Sequence, residues 1–255
     1  YQGSVVFSSQ TSLEEFIEEN YVEITGDLTI NSSEDDPIIS LSSLNQINKI
    51  GGELTISRND DLHDLSGLEN ITTLKSLNII LNEKLESLDG IDNLVKVDSN
   101  ISINHNVSLE VIELRELLSV QTIWIQNNHV LNTINMNQLA SINGGGLFIS
   151  TFLGKDFNFS ALRNIPALHL ENAPNMETVT GLENVESIRY NFTIRGFYSL
   201  KNLDGFNSLT SVDDINLEGL NNITDVDFPS LKEINGSLYL NNCNLTSLGV
   251  GIVKR

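Results

Sequence analysis

Three ring-bearing residues stand at the same place in three successive apolar-x-apolar units: Trp124 between Ile123 and Ile125, Phe148 between Leu147 and Ile149, and His169 between Leu168 and Leu170. If each unit is a strand, its two apolar side chains point to one side and the ring to the other. Three rings on adjacent strands form an exposed aromatic strip, whose chemistry is recognition of a sugar, a peptide or a protein partner. The same residues also fit a ladder of rings that stabilises the sheet, or a face covered by an adjoining domain. Two positions before Trp124, Thr122 aligns with Gly146 and Ala167, small residues that leave room for a shallow groove beside the rings. On the other side Gln126 opens a column with Ser150, Glu171, Arg195 and Glu218. The last three of these read as a surface charge ladder of little energetic worth. The candidate ligand-binding residues are therefore Trp124, Phe148, His169, Thr122 and Gln126.

Catalytic and metal chemistry find less support. Asp27 and Glu53 lie at one end of the repeat and Asp214 at the other, and no carboxylate pair is placed for acid/base work. His63, His105, His129 and His169 fall in different repeats without the close spacing of a zinc site. Asp35-Asp36, Asn59-Asp60-Asp61 and Asp213-Asp214 could hold calcium, yet none matches an EF-hand loop, and each suits a turn. No catalytic residue, cofactor or metal is expected. The formal charge of -20, from 34 acidic and 14 basic residues, argues against a nucleic-acid backbone or an anionic membrane as partner. No apolar run approaches the roughly 20 residues that span a bilayer.

The element that must present the strip is a repeat. Ten apolar-x-apolar pairs recur at intervals of 21 to 26 residues, from Leu28/Ile30 to Leu238/Leu240. Self-similarity at that period means a solenoid, each coil burying its apolar side by stacking on its neighbours. In the coil that opens at Leu54, Asn59 follows the strand at a corner, where its amide can satisfy backbone groups of the next coil. Asn82, Asn106 and Asn128 hold the same place. Apolar residues then fall every third position, at 62, 65, 68, 71 and 74, which suits an irregular or 3₁₀-like return path. From the sixth coil onward the Asn place holds Phe152, Ala173, Phe197, Leu220 and Cys243, so an apolar spine succeeds the polar ladder. Cys243 reads as a small buried hydrophobe. Phe152 to Phe159 departs most from the repeat.

Residues 1–27 read as an N-terminal cap and 28–255 as the solenoid. The cap contains a predicted helix over Ser12 to Asn20, opened by a capping box of Thr11 with Glu14 or Ser12 with Glu15. Its apolar face covers the open end of the first coil. At the other end Leu245, Leu248, Val250, Ile252 and Val253 run to Arg255 without a comparable cap. The expectation there is a continuing polypeptide or an end that pairs with another molecule. A start at Tyr1 suggests a processed export signal or a trimmed chain. Nine N-x-S/T sequons are present, in keeping with a chain rich in Asn, Ser and Thr.

The coil pattern L-x-I-x-x-N-x-x-L-x-x-L-x-G-L-x-N-L, carried in register by Leu54 to Leu68, Leu77 to Ile91 and Leu168 to Leu182, resembles the receptor L domain. This is the leucine-rich-like ligand-binding module of insulin and epidermal growth factor receptors, and the resemblance covers about residues 24 to 248. Phe7 to Phe16, followed by Ile24 to Ile30, looks like the opening of bacterial cell-surface proteins built from this repeat. The animal receptors carry disulfides and cysteine-rich neighbours, whereas this chain has one cysteine, so their signalling role is not carried over. The resemblance implies a right-handed, mostly β solenoid of about ten coils with a helical N-terminal cap. It implies an exported or cell-surface protein without catalytic residues, recognising a protein or glycan ligand on its parallel sheet. The alternative is a structural spacer or self-associating surface domain.

Overall fold

The computed structural model describes residues 1–244 and 246–249. Leu245 and residues 250–255, which hold most of the expected uncapped end, lie outside the described residues, as do the side chains of Ile17 and Leu248. The chain is a β-solenoid of ten coils, and all strand pairings among the described residues are parallel. The main sheet is built from Leu28–Asn31, Glu53–Ser57, Ser76–Ile80, Asn100–Asn104, Ser119–Gln126, Ser141–Ser150, Leu168–Glu171, Ser187–Arg195, Ser211–Glu218 and Leu238–Asn241, stacked in chain order. In the first nine of these strands both residues of the apolar pair are buried. Each such side chain contributes about 2 kcal/mol of burial free energy, available only because the next coil covers it.

The N-terminal segment adds two elements. Val5–Phe7 pairs with Leu28–Ile30, so residues assigned to the cap extend the main sheet by one strand. The helix spans Gln10–Glu18, starting before the predicted Ser12. Its capping box is formed by two serines: the Ser12 N–H donates to Ser9 Oγ at 3.1 Å, and the Ser9 N–H to Ser12 Oγ at 3.2 Å. Serine can fill the place usually taken by glutamate, because its hydroxyl also reaches back to the first free N–H. Leu13 is fully buried, and Phe16 packs edge-on to Phe7 with ring centroids 5.0 Å apart.

The asparagine ladder is present. In Asn59, Asn82, Asn106 and Asn128 the Nδ2 donates to a strand carbonyl of the preceding coil, Ile30, Ile56, Ile79 and Ile103 respectively. The Oδ1 of each of the last three accepts the backbone N–H of the previous ladder member, at 3.0, 3.1 and 2.9 Å. Phe152, Ala173, Phe197 and Leu220 fill the same corner, fully packed, in the later coils. Cys243 departs from its expected role as a buried hydrophobe. It is half-buried, and its thiol points at the carbonyls of Leu217 and Asn241, the same two kinds of acceptor that the Asn59 amide uses.

A second column lies one residue earlier. Arg58, Leu81, His105, Asn127, Thr151, Asn172, Gly196, Gly219 and Asn242 all have φ between 52° and 69°. This left-handed step turns the chain out of the strand while its N–H stays in the parallel ladder. The Arg58 N–H donates to the Ile80 carbonyl, that of Thr151 to Glu171, and that of Gly219 to Asn241.

The return path divides by spacing. Coils with apolar residues strictly three apart, such as Leu62-Leu65-Leu68-Ile71-Leu74, return through turns in which an N–H donates to the carbonyl three residues back, as Leu68 does to Leu65 and Ile71 to Leu68. A Cβ at Gly67 would meet the Leu41 carbonyl of the coil below, so this turn requires glycine. Where the spacing shortens to two, at Ile112/Leu114, Ile134/Met136 and Phe157/Phe159, the path is extended instead. Val111–Glu113, Thr133–Asn135 and Phe157–Asn158 there form a second small parallel sheet. Period-two burial selects strand geometry in this part of the coil as it does in the main sheet.

Candidate functional site

The register of the main sheet sets the site. Thr29, Thr55, Asn78, Ser102, Trp124, Phe148, His169, Thr193, Asn216 and Tyr239 pair in unbroken sequence across ten strands, as the alignment of apolar pairs predicted. Trp124, Phe148 and His169 are adjacent and half-buried. The Trp124 and Phe148 centroids are 5.9 Å apart at an interplanar angle of 21°, and those of Phe148 and His169 are 4.9 Å apart at 33°. The first pair is stacked and the second tilted, both within the range of favourable ring contact. Phe148 is thus sandwiched, and the strip offers solvent a row of ring edges in place of a flat platform.

Ring edges carry the positive side of the aromatic quadrupole. The Trp124 Nε1–H and the imidazole of His169 add polar positions to that row, and neither ring nitrogen hydrogen-bonds to a described residue. Burial lowers the His169 pKa, which the Glu171 carboxylate two residues along the strand partly offsets. His169 is therefore neutral at neutral pH, with one ring nitrogen a donor and the other an acceptor. The strip suits oxygen lone pairs on a ligand, whether carbonyl or hydroxyl.

The flanking columns differ from one another. Thr122 is buried and its hydroxyl accepts the Gly145 N–H at 3.0 Å. Between Thr122 and Val120 the pairing slips, because Ser141–Ser150 carries extra residues there. The Gly144-Gly145 backbone lies against Gln121 and Thr122 and narrows the groove expected from small residues, and the Thr122 hydroxyl holds the bulge. Gln126 is half-buried beside the strip and pairs with Asn104. Beyond it Ser150, Glu171, Arg195 and Glu218 are in register, with Arg195 Nε 3.4 Å from Glu218 Oε2.

Carboxylates at the two ends of the sheet serve the backbone. Asp27 Oδ1 accepts the Glu53 N–H at 2.9 Å, and Asp214 Oδ1 the Ser237 N–H at 2.7 Å. Of the pairs considered for calcium, Asp36 accepts the Thr11 N–H at the helix start, and Asp61 forms an ion pair with Lys84. Several sequon asparagines are structural as well: Asn106 is fully buried in the ladder, and Asn70, Asn222 and Asn244 donate to carbonyls of the preceding coil.

A second bulge escaped the sequence reading. In Ser187–Arg195 the pairing skips Arg189 and Tyr190, and the guanidinium carbon of Arg189 sits 5.2 Å from the centre of the exposed Tyr190 ring. The bulged strand is nine residues long between neighbours of four and eight. No family model matches the chain, and neither a curated protein nor a solved structure matches it.

Proposed function

We propose that this protein is a non-enzymatic recognition module of receptor L domain type, exported or displayed at a cell surface, that holds a protein or glycan ligand on its parallel sheet. The observation that carries this reading is the Trp124–Phe148–His169 stack, three half-exposed rings with unpaired ring nitrogens in a column otherwise made mostly of hydroxyl and amide side chains. The residues that bind are Trp124, Phe148 and His169 with Gln126 beside them. A spacer or self-associating domain is the second reading. Substituting Trp124, Phe148 and His169 by Ser and probing glycan and peptide panels separates the two. Lost ligand capture by a protein of unchanged mass in solution supports recognition, and a changed oligomeric state supports assembly.

A further inference from the structure

Beside the strip lies a depression that has its own physical origin. The left-handed corner residue of seven coils carries a side chain, from Arg58 to Asn172 and again at Asn242, but the eighth and ninth coils have Gly196 and Gly219. Two adjacent corners without side chains leave a concavity of about 420 Å³, walled by Glu171, Arg195 and Glu218 on the sheet side and by Asn172, Asn242 and Tyr198 at the corner. Glu171 lies two residues beyond His169 on one strand and Arg195 two beyond Thr193 on the next, so the concavity continues the face that carries the rings.

The lining alternates acceptors and donors. Along the column the order is carboxylate, guanidinium, carboxylate, with neighbours about 4.8 Å apart. Arg195 meets Glu218 through Nε at 3.4 Å, and its two terminal nitrogens bond to no described residue. The side-chain amides of Asn172 and Asn242 likewise make no hydrogen bond within the described chain. Tyr198 is 57% exposed, and its ring edge comes within 4.0 Å of the place a Gly219 Cβ would take.

We infer that this concavity binds the hydroxyl groups of a neutral saccharide. A hydroxyl both donates and accepts, so a row of vicinal hydroxyls is matched by interleaved carboxylates, amides and a guanidinium, and not by a surface of one kind. The exposed Tyr198 ring supplies an apolar face for the C–H side of a sugar ring. A chain of charge -20 disfavours an anionic ligand. The inference rests on the recognition reading and narrows it to glycan.

The test uses the whole protein against immobilised linear oligosaccharides of glucose, mannose, galactose and N-acetylglucosamine, beside a peptide panel. Gly219→Asn is the informative variant, because asparagine already occupies the same left-handed corner at 127, 172 and 242, and a Cβ at 219 would meet nothing closer than 3.7 Å. It fills the concavity while keeping the fold, as an unchanged thermal midpoint verifies. Saccharide binding weakened about tenfold or more by Gly219→Asn and by Arg195→Ala supports the site, since loss of a charge-assisted hydrogen bond has that magnitude. Saccharide binding indifferent to Gly219→Asn overturns the location. Peptide capture that depends on Trp124 and Phe148, with no saccharide bound, overturns the glycan inference and leaves the recognition reading standing. Silence on both panels overturns both.

Discussion

The side-chain carbonyl of Asn82 accepts two hydrogen bonds from Asn59, one from its backbone N–H at 3.0 Å and one from its Nδ2 at 3.1 Å. Each interior ladder member thus serves as acceptor for the coil before it and donor to the strand of that same coil. Asn59 heads the row, and its own Oδ1 is buried without a donor.

That asymmetry fixes a gradient of cost. Replacing Asn106 by Leu strands the buried N–H of Asn82, takes one of the two acceptors of its Nδ2 and removes the donor to the Ile79 carbonyl, and should cost about 3 kcal/mol. Replacing Asn59 by Leu takes a donor from the Ile30 and Ser57 carbonyls and from Asn82 Oδ1 but strands no N–H, because its own Oδ1 has no donor, and should cost about half as much. Urea unfolding of the two variants measures this, and equal costs would show that the chain of amides does not act in sequence.

Thr151 holds φ at 63°, a conformation that is costly for a β-branched residue. Thr151→Asn places there the residue type found at 127, 172 and 242, and should stabilise the protein by about 1 kcal/mol. The Thr151 N–H to Glu171 carbonyl bond survives the change, so differential scanning calorimetry reads the backbone strain alone.

Trp124 is the single tryptophan, half-buried and stacked on Phe148. Its emission should fall between that of a core and a free indole, with acrylamide quenching reduced by the neighbouring ring. Phe148→Ala should shift the emission to the red and raise the quenching constant, because it uncovers one face of the indole. An unmoved spectrum would place Trp124 away from Phe148.

Burial holds the His169 pKa below its unfolded value of about 6.5. The unfolded chain then binds more protons than the folded one over the window between the two values, so stability falls as pH drops through that window and is fully kept above it. The imidazole protons of His169 should titrate below 6.5 by NMR, and His169→Phe should remove this part of the acid sensitivity.

The strand register was legible because side-chain alternation leaves only one way to stack ten similar units with their apolar pairs inward. Trp124, Phe148 and His169 came together for that reason alone. Other features were not legible. The helix start was hidden because Ser9 and Ser12 cap each other, where the familiar pattern has a glutamate. The bulge beside Thr122 was not legible because residue size alone does not show the insertion that lays the Gly144-Gly145 backbone there. The left-handed corner was invisible because Arg, Leu, His and Thr occupy it alongside Asn and Gly, so stacking imposes the conformation on residues that do not prefer it. The concavity could have been suspected from Gly196 and Gly219, which follow Ile194 and Leu217 by the same two residues.

The change of corner residue between Asn128 and Phe152 divides corners held by amide bonds from corners held by apolar packing, over an apolar core common to both. Coils locked by amide bonds keep their cohesion on cooling, whereas coils joined through Phe152, Phe197 and Leu220 lean on an attraction that weakens as water is chilled. Near freezing the corners on the carboxyl side of Phe152 should therefore loosen first, which amide hydrogen exchange on either side of that residue would show.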